Sequence, residues 1–100
     1  MTLRLRITAR AAAEIERAAN TWWRENRLAA PNALREDLKA ALNLLPQKPC
    51  VGVKVAGSRL SGTRRLHLGR IRYFVFYRVK GEDLIVLSVW HSSRGRGPSI

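Results

Sequence analysis

The sequence predicts an α+β domain in the order β-α-α-β-β-β, a helical hairpin packed on one face of a mostly antiparallel, twisted sheet. Three observations predict it. Apolar residues recur at helical spacing between residues 9 and 45, and there alone. The second half replaces that spacing with alternation and with one nearly continuous apolar run, Leu84 to Trp90. Glycines, prolines and polar clusters fall between these segments and punctuate them.

At the start, Leu3, Leu5 and Ile7 alternate with Thr2, Arg4, Arg6 and Thr8, the pattern of a half-buried strand. Thr8 suits the N-cap of a helix reaching about Arg27. Its apolar stripe is Ala11, Ile15, Ala18 and Trp22; Glu14, Glu16, Arg17, Arg24 and Glu25 form its polar face. The adjacent Trp22 and Trp23 are expected to divide between core and rim. Pro31 suits the first turn of a second helix, with Leu34, Leu38, Ala41, Leu42 and Leu45 on one side. Pro46 and Pro49 stop it. The short link Leu28–Ala30 implies an antiparallel hairpin whose two stripes share one sheet.

The remainder reads as β. Val51, Val53 and Val55 alternate before a loop from Ala56 to Gly62. Arg64 to Leu68 follows, with Leu66 and Leu68 on one side and Arg65 and His67 on the other. Gly69-Arg70 turns into a strand from Ile71 to Val79, and Lys80 to Asp83 forms a hairpin turn. The Leu84–Trp90 run belongs at a central position with both faces covered. The last six or so residues are expected to fray.

One hundred residues make a single domain, 1–100, able to build a core without disulfides or metals. A mean hydropathy of −0.21 fits a soluble protein. No stretch approaches the roughly 18 apolar residues of a membrane span, and the alternating N-terminus is no signal-peptide core. The lone Cys50 excludes an internal disulfide and fits a reducing cytoplasm. With two histidines, one cysteine and no ligand spacing, neither a metal nor another cofactor is expected.

Charge is the abnormal quantity. Nineteen Lys and Arg against seven Asp and Glu give +12, and fifteen of the nineteen are arginine. Residues 1–50 carry nine bases and five acids (+4), whereas residues 51–100 carry ten and two (+8). No acid follows Asp83. Such an excess attracts polyanions, and arginine favours bidentate contacts with phosphate or carboxylate. The chemistry-bearing side chains are therefore cationic, with His91 and the Ser92–Pro98 tail delivering an imidazole, two hydroxyls and two guanidiniums to one end of the sheet. Arg72-x-Phe74-x-Phe76-x-Arg78 would place two aromatics and two guanidiniums on one strand face, as base-stacking sheets do. The opposite face is at least as apolar, so Phe74 and Phe76 are expected to be core or covered by a partner.

The element order, together with Gly62-Thr63-Arg64-Arg65-Leu66, Arg72-Tyr73-Phe74-Val75-Phe76-Tyr77-Arg78-Val79 and Ile85-Val86-Leu87-Ser88-Val89-Trp90-His91, resembles the RelE/ParE family of type II toxins over nearly the whole chain. Trp22-Trp23-x-Glu25-Asn26 is similar to its ParE-like branch. The resemblance implies a hetero-oligomer with a cognate acidic, ParD-like antitoxin, for which Trp22, Trp23, Leu38, Phe74 and Phe76 are candidate contacts. It also implies one of two targets. ParE-like members bind and inhibit DNA gyrase, with Arg64, Arg65, Arg70, Arg72, Arg94 and Arg96 as the candidate contacts here. RelE-like members cut messenger RNA on the ribosome, and Arg65, His67, His91 and Arg94 would carry that chemistry. The arginine that nuclease members place in a Tyr-Arg-aliphatic-x-Tyr stretch falls on Phe74, and the C-terminal tyrosine is missing. Phenylalanine cannot clamp a phosphate. The expectation is a non-enzymatic gyrase inhibitor, with the endoribonuclease and an inactive antitoxin-binding relative as alternatives.

Overall fold

The structure, a computed structural model, describes residues 2–26, 28–94 and 97–100. Among these the chain forms β1 (Arg4–Ile7), α1 (Ala9–Asn26), α2 (Ala33–Leu44), β2 (Val53–Lys54), β3 (Arg64–Leu68), β4 (Tyr73–Lys80) and β5 (Asp83–His91). The strands make one sheet in the order β1-β5-β4-β3-β2. β1 runs parallel to β5 and every other pairing is antiparallel. The predicted order thus holds, with the short β2 as an additional edge strand.

Thr8 caps α1 as expected, its Oγ1 accepting the Ala11 amide (3.1 Å). Trp22 packs against the core and donates its indole N–H to the Ala30 carbonyl (2.7 Å), whereas Trp23 is 55% exposed. Trp22 thereby ties the end of α1 to the turn that leads into α2. Pro31 lies in the turn before α2 rather than in its first turn, and Asn32 stands at the N-cap without a side-chain bond. Ala33, Leu34, Leu38, Ala41 and Leu45 carry the buried face of the second helix.

Both helices pack on one face of the sheet, over Val75, Tyr77, Leu84, Val86 and Val89, with Leu66 and Leu68 at the margin. β5 is central, as its composition predicts. A second reason for its unbroken apolar run is a bulge: Phe76 pairs with Ser88 and Tyr77 with Val86, leaving Leu87 unpaired. The bulge shifts alternation by one residue, so Val86 and Val89 both face the helices.

Glu14 departs from the sequence reading. Rather than joining a polar face, it is buried, and its Oε1 accepts from the Ser88 hydroxyl (2.8 Å) and the Val89 amide (3.2 Å). β1 stops opposite Val86, so the edge of β5 beyond that point lacks a strand partner. The Glu14 carboxylate supplies the missing acceptor, and Arg10 approaches its other oxygen (3.6 Å).

The valine alternation near residue 51 yields only the two-residue β2 because Tyr77 pins the preceding chain. Its hydroxyl donates to the Pro49 carbonyl (2.7 Å) and accepts the Gly52 amide (2.9 Å). A Cβ at Gly52 would lie 2.5 Å from that oxygen. β4 begins at Tyr73, two residues later than expected, because Arg72 adopts a positive φ of 60° and breaks the strand. Of the last six residues, expected to fray, Gly95 and Arg96 lie outside the described ones, whereas Ser99 and Ile100 are bonded to the fold: their carbonyls accept from the Arg10 guanidinium (2.9 Å) and the Arg59 amide (3.0 Å), while Ser58 Oγ donates to Ile100 (3.2 Å).

Replacing Glu14 with alanine strands the Val89 amide and the Ser88 hydroxyl, so urea unfolding should show a loss of about 1–3 kcal/mol. Glu16→Ala on the exposed side should change stability by no more than about 0.5 kcal/mol. Burial pushes the Tyr77 phenol up, opposed by the Gly52 amide bond and by Arg64. A raised folded value means the proton is held more tightly in the native state. Stability is therefore intact below the ordinary tyrosine range, about pH 10, and falls as pH rises through the elevated folded value. Tyr77→Phe should flatten that alkaline decline in a series of melts at increasing pH.

Candidate functional site

Two turns meet the C-terminal half of α1 at one end of the sheet. In the first, Arg72 is locked in the left-handed region: its amide donates to the Leu68 carbonyl (2.8 Å) and its carbonyl accepts the Ser92 amide (2.8 Å). A side chain there costs roughly 1–2 kcal/mol relative to the ordinary region. In the second turn, the Arg94 amide donates to the His91 carbonyl (3.1 Å) and the Ser93 amide to His91 Nδ1 (3.1 Å). An amide can only donate, so Nδ1 is the acceptor and the neutral ring carries its proton on Nε2.

Between these turns and Thr21, Glu25 and Asn26 of α1 lies an open cleft of about 620 Å³. Tyr73 and His91 line it, their rings edge-on at 4.9 Å. Burial pushes the Tyr73 phenol up; Arg94 draws it down and Glu25 raises it. Arg70, Arg72 and Arg94 supply the positive charge. Arg70 is committed elsewhere: its Nε and Nη2 grip the two Asp37 oxygens (3.0 and 2.5 Å), and that hydrogen bond holds the guanidinium above its ordinary value. A smaller cavity of about 170 Å³ has Glu14, Arg17, His91 and Arg94 in its lining.

The face of the sheet away from the helices carries a different arrangement. The Arg65 guanidinium lies 4.6 Å over the Phe74 ring, with His67 at 4.7 Å and Phe76 at 6.0 Å from the same ring. Arg94 covers Trp90 at 4.6 Å. Phe76 is buried, and residues Gly97, Pro98 and Ile100 share a shallow cavity with it and with Arg65. In both contacts the cation sits over the electron-rich face of the ring.

The sequence-predicted residues are therefore divided. Arg65 lies on the open face and Arg72 and Arg94 at the end cleft; Arg64 is spent on the Gly52 carbonyl (2.7 Å) and Arg70 on Asp37. Arg96 lies outside the described residues. Of the nuclease set, Arg65 and His67 share the open face, but His91 pairs with Tyr73 and turns with it toward α1. The sheet itself stands between the two imidazoles. Trp22, Trp23 and Leu38 line one groove of about 690 Å³ between α1 and α2, bounded by Leu5 and flanked by Arg35 and Lys39. Phe74 and Phe76 lie on the other side of the sheet. Glu14 and Arg17 were not singled out from sequence; Glu14 sits three residues after Ala11 and four before Ala18, on the apolar stripe, and that position was the available signal.

The model of the ParE toxin of type II toxin–antitoxin systems, parDE, matches residues 5–95. The chain belongs to the ParE toxin family. No curated protein sequence matches it. Among solved structures it is similar to a chain of the chromosomal ParDE system of P. aeruginosa, at 24% identity and a TM-score of 0.68, covering 90% of this chain and 96% of that one. It is also similar to a chain of the RelBE2 toxin–antitoxin complex of Mycobacterium tuberculosis (20%, TM-score 0.64, covering 91% and 99%). An arginine-to-alanine mutant of the E. coli toxin RelE in the free state follows (20%, TM-score 0.52, covering 95% and 88%). At these identities the likeness to ParDE and RelBE chains establishes a shared fold, and the family match over most of the chain establishes the toxin. Among the described residues, no helix is long and apolar enough to cross a membrane.

The tautomer in this toxin is directly observable. Long-range proton–nitrogen spectra of the neutral His91 ring should show the Nε2–H pattern; an Nδ1–H pattern would contradict the Ser93 hydrogen bond.

Proposed function

We propose that this toxin arrests growth by binding DNA gyrase, without cleaving RNA, and that a cognate acidic antitoxin silences it. The observation that carries the reading is the separation of His91 from Arg65 and His67 by the sheet; the resemblance adds that Phe74 falls where nuclease members are expected to hold an arginine. General acid–base cleavage requires its groups within hydrogen-bond reach of one phosphodiester. Two imidazoles on opposite faces do not meet that requirement. A binding inhibitor has no such demand and needs only a complementary cationic surface, which Arg65 on one side and Arg72 and Arg94 at the end provide.

The antitoxin reading draws on the groove between the helices. Trp23 at 55% and Leu5 at 39% exposure leave apolar area open to solvent beside Trp22 and Leu42, and Arg35 and Lys39 edge the groove with positive charge. An amphipathic helix bearing acidic flanks would bury the first and neutralise the second. Phe74 and Phe76 lie too far around the sheet for that same helix, so a second antitoxin segment would be needed to reach them.

Gyrase supercoiling with purified toxin should be inhibited at micromolar concentration and restored by the antitoxin encoded beside it. New cleavage ends in translated messages, with supercoiling unaffected, would instead support the endoribonuclease. Trp23→Asp should weaken antitoxin binding by about tenfold or more while leaving gyrase inhibition in place, read by titration calorimetry and the supercoiling assay.

A further inference from the structure

We propose that the end cleft is a binding site for a phosphate monoester, the group carried by a free nucleotide, with Arg72 and Arg94 as its clamps and His91 Nε2–H as a third donor. The inference stands apart from the gyrase reading and does not rest on it. Its first support is the backbone of Arg72. Two hydrogen bonds hold the residue at φ 60°, where glycine would sit without strain. The chain keeps a long cationic side chain at the one described non-glycine position with positive φ, and that side chain lines the cleft. Strain at a cationic pocket points to use of the side chain.

The second support is the state of the charges. Arg70 is satisfied by Asp37, whereas among the described residues neither Arg72 nor Arg94 forms an ion pair. Arg94 rests on the Trp90 ring, a contact that positions the guanidinium and leaves its in-plane N–H groups available. Glu25 is the acid that lines the cleft together with Arg70, Arg72 and Arg94. The third support is the fixed imidazole. The Ser93 amide occupies Nδ1, so the neutral ring offers a donor at Nε2. Donors from two turns and one strand end thus surround a concave space large enough for a nucleotide. A terminal phosphate, with three unesterified oxygens, can engage all three; an internal phosphodiester has two.

Titration calorimetry of the purified chain with adenosine 5′-monophosphate, inorganic phosphate and adenosine tests this. The monophosphate and phosphate should bind and adenosine should not. Arg72→Gly should weaken binding by about tenfold or more while raising the melting temperature, because the glycine relieves the left-handed backbone. Arg94→Gln should weaken it similarly, whereas Lys80→Gln, which removes the same charge at the distant hairpin, should leave it within about twofold. Unchanged monophosphate binding in Arg72→Gly, equal losses in Lys80→Gln, or equal binding of adenosine would each overturn the proposal. Tighter binding of an oligonucleotide lacking terminal phosphates would overturn the monoester assignment in favour of a strand backbone. Supercoiling inhibition by the unmodified chain is a separate readout: its absence alongside intact phosphate binding would remove the gyrase reading and leave this one.

Discussion

The edge of β5 is shared between a strand and a helix, and the placement of everything else follows from that division. β1 supplies ladder partners from Asp83 to Val86 and then ends. Thr8 continues the edge by one step, its amide bonding Val86 and its hydroxyl the Leu87 carbonyl (3.3 Å), before α1 begins. Glu14, nearly two turns into the helix, takes up the Val89 amide. A buried backbone donor must find an acceptor, and a carboxylate at that position of α1 fixes both the helix's rotation and its distance from the sheet. The Leu87 bulge belongs to the same arrangement, because it brings Ser88 to the carboxylate and returns Val89 to the core.

That arrangement explains why the chain has two chemically different faces and a cleft at one end. With α1 anchored at its start by Thr8 and Glu14, its C-terminal half overhangs the ends of β4 and β5. Trp22 then reaches the Ala30 carbonyl and ties the hairpin link, so the overhang is rigid enough to wall a space. Opposite the helices, the odd–even alternation of β3 and β4 exposes Arg65, His67 and Phe74 together. His91 would join them only if the bulge were absent: without Leu87 unpaired, the end of β5 would present its other side. One inserted residue therefore determines which imidazole belongs to which surface.

Much of this was legible in the residues and some was not. The helical stripes, the Thr8 cap, the division of Trp22 from Trp23 and the central position of β5 all follow from local spacing, because each is decided by which side chains leave water. A carboxylate on an apolar stripe is ordinarily a solvated neighbour; the burial of Glu14 depends on the β5 edge at Ser88 and Val89, remote in sequence and left open where β1 ends. The positive φ of Arg72 carries no compositional mark, as the residue is neither glycine nor asparagine. The held tail was misjudged for a related reason. The anchors of Ser99 and Ile100, namely the Arg10 guanidinium, the Ser58 hydroxyl and the Arg59 amide, are remote in sequence, and glycine with serine reads locally as freedom. The histidines divided because a bulge is invisible to alternation counting, whereas Arg64 and Arg70 were diverted by the Gly52 carbonyl and by Asp37.

The charge excess acquires a structural meaning from where the acids go. Asp83 is held by Arg4 and Arg6 (2.9 and 3.0 Å), Asp37 and Glu36 by Arg70, and Glu14 by the β5 edge with Arg10 beside it. Four of the seven acids are thus committed to joining elements of the fold. Among the described residues, Arg65 on the open face and Arg72 and Arg94 at the end cleft receive no share of them. Surface ion pairs of this kind contribute little to stability individually, so their effect is chiefly distributive: they concentrate uncompensated positive charge where α1 overhangs the sheet and where Arg65 stacks on Phe74. A domain of +12 with its acids so placed repels its own copies and is attracted to any acidic partner that can approach those two surfaces. The helical groove, with fewer charges and more exposed apolar area, is a separate surface on the same molecule. An acidic partner seated there would not contend for the guanidiniums of the open face and the end cleft.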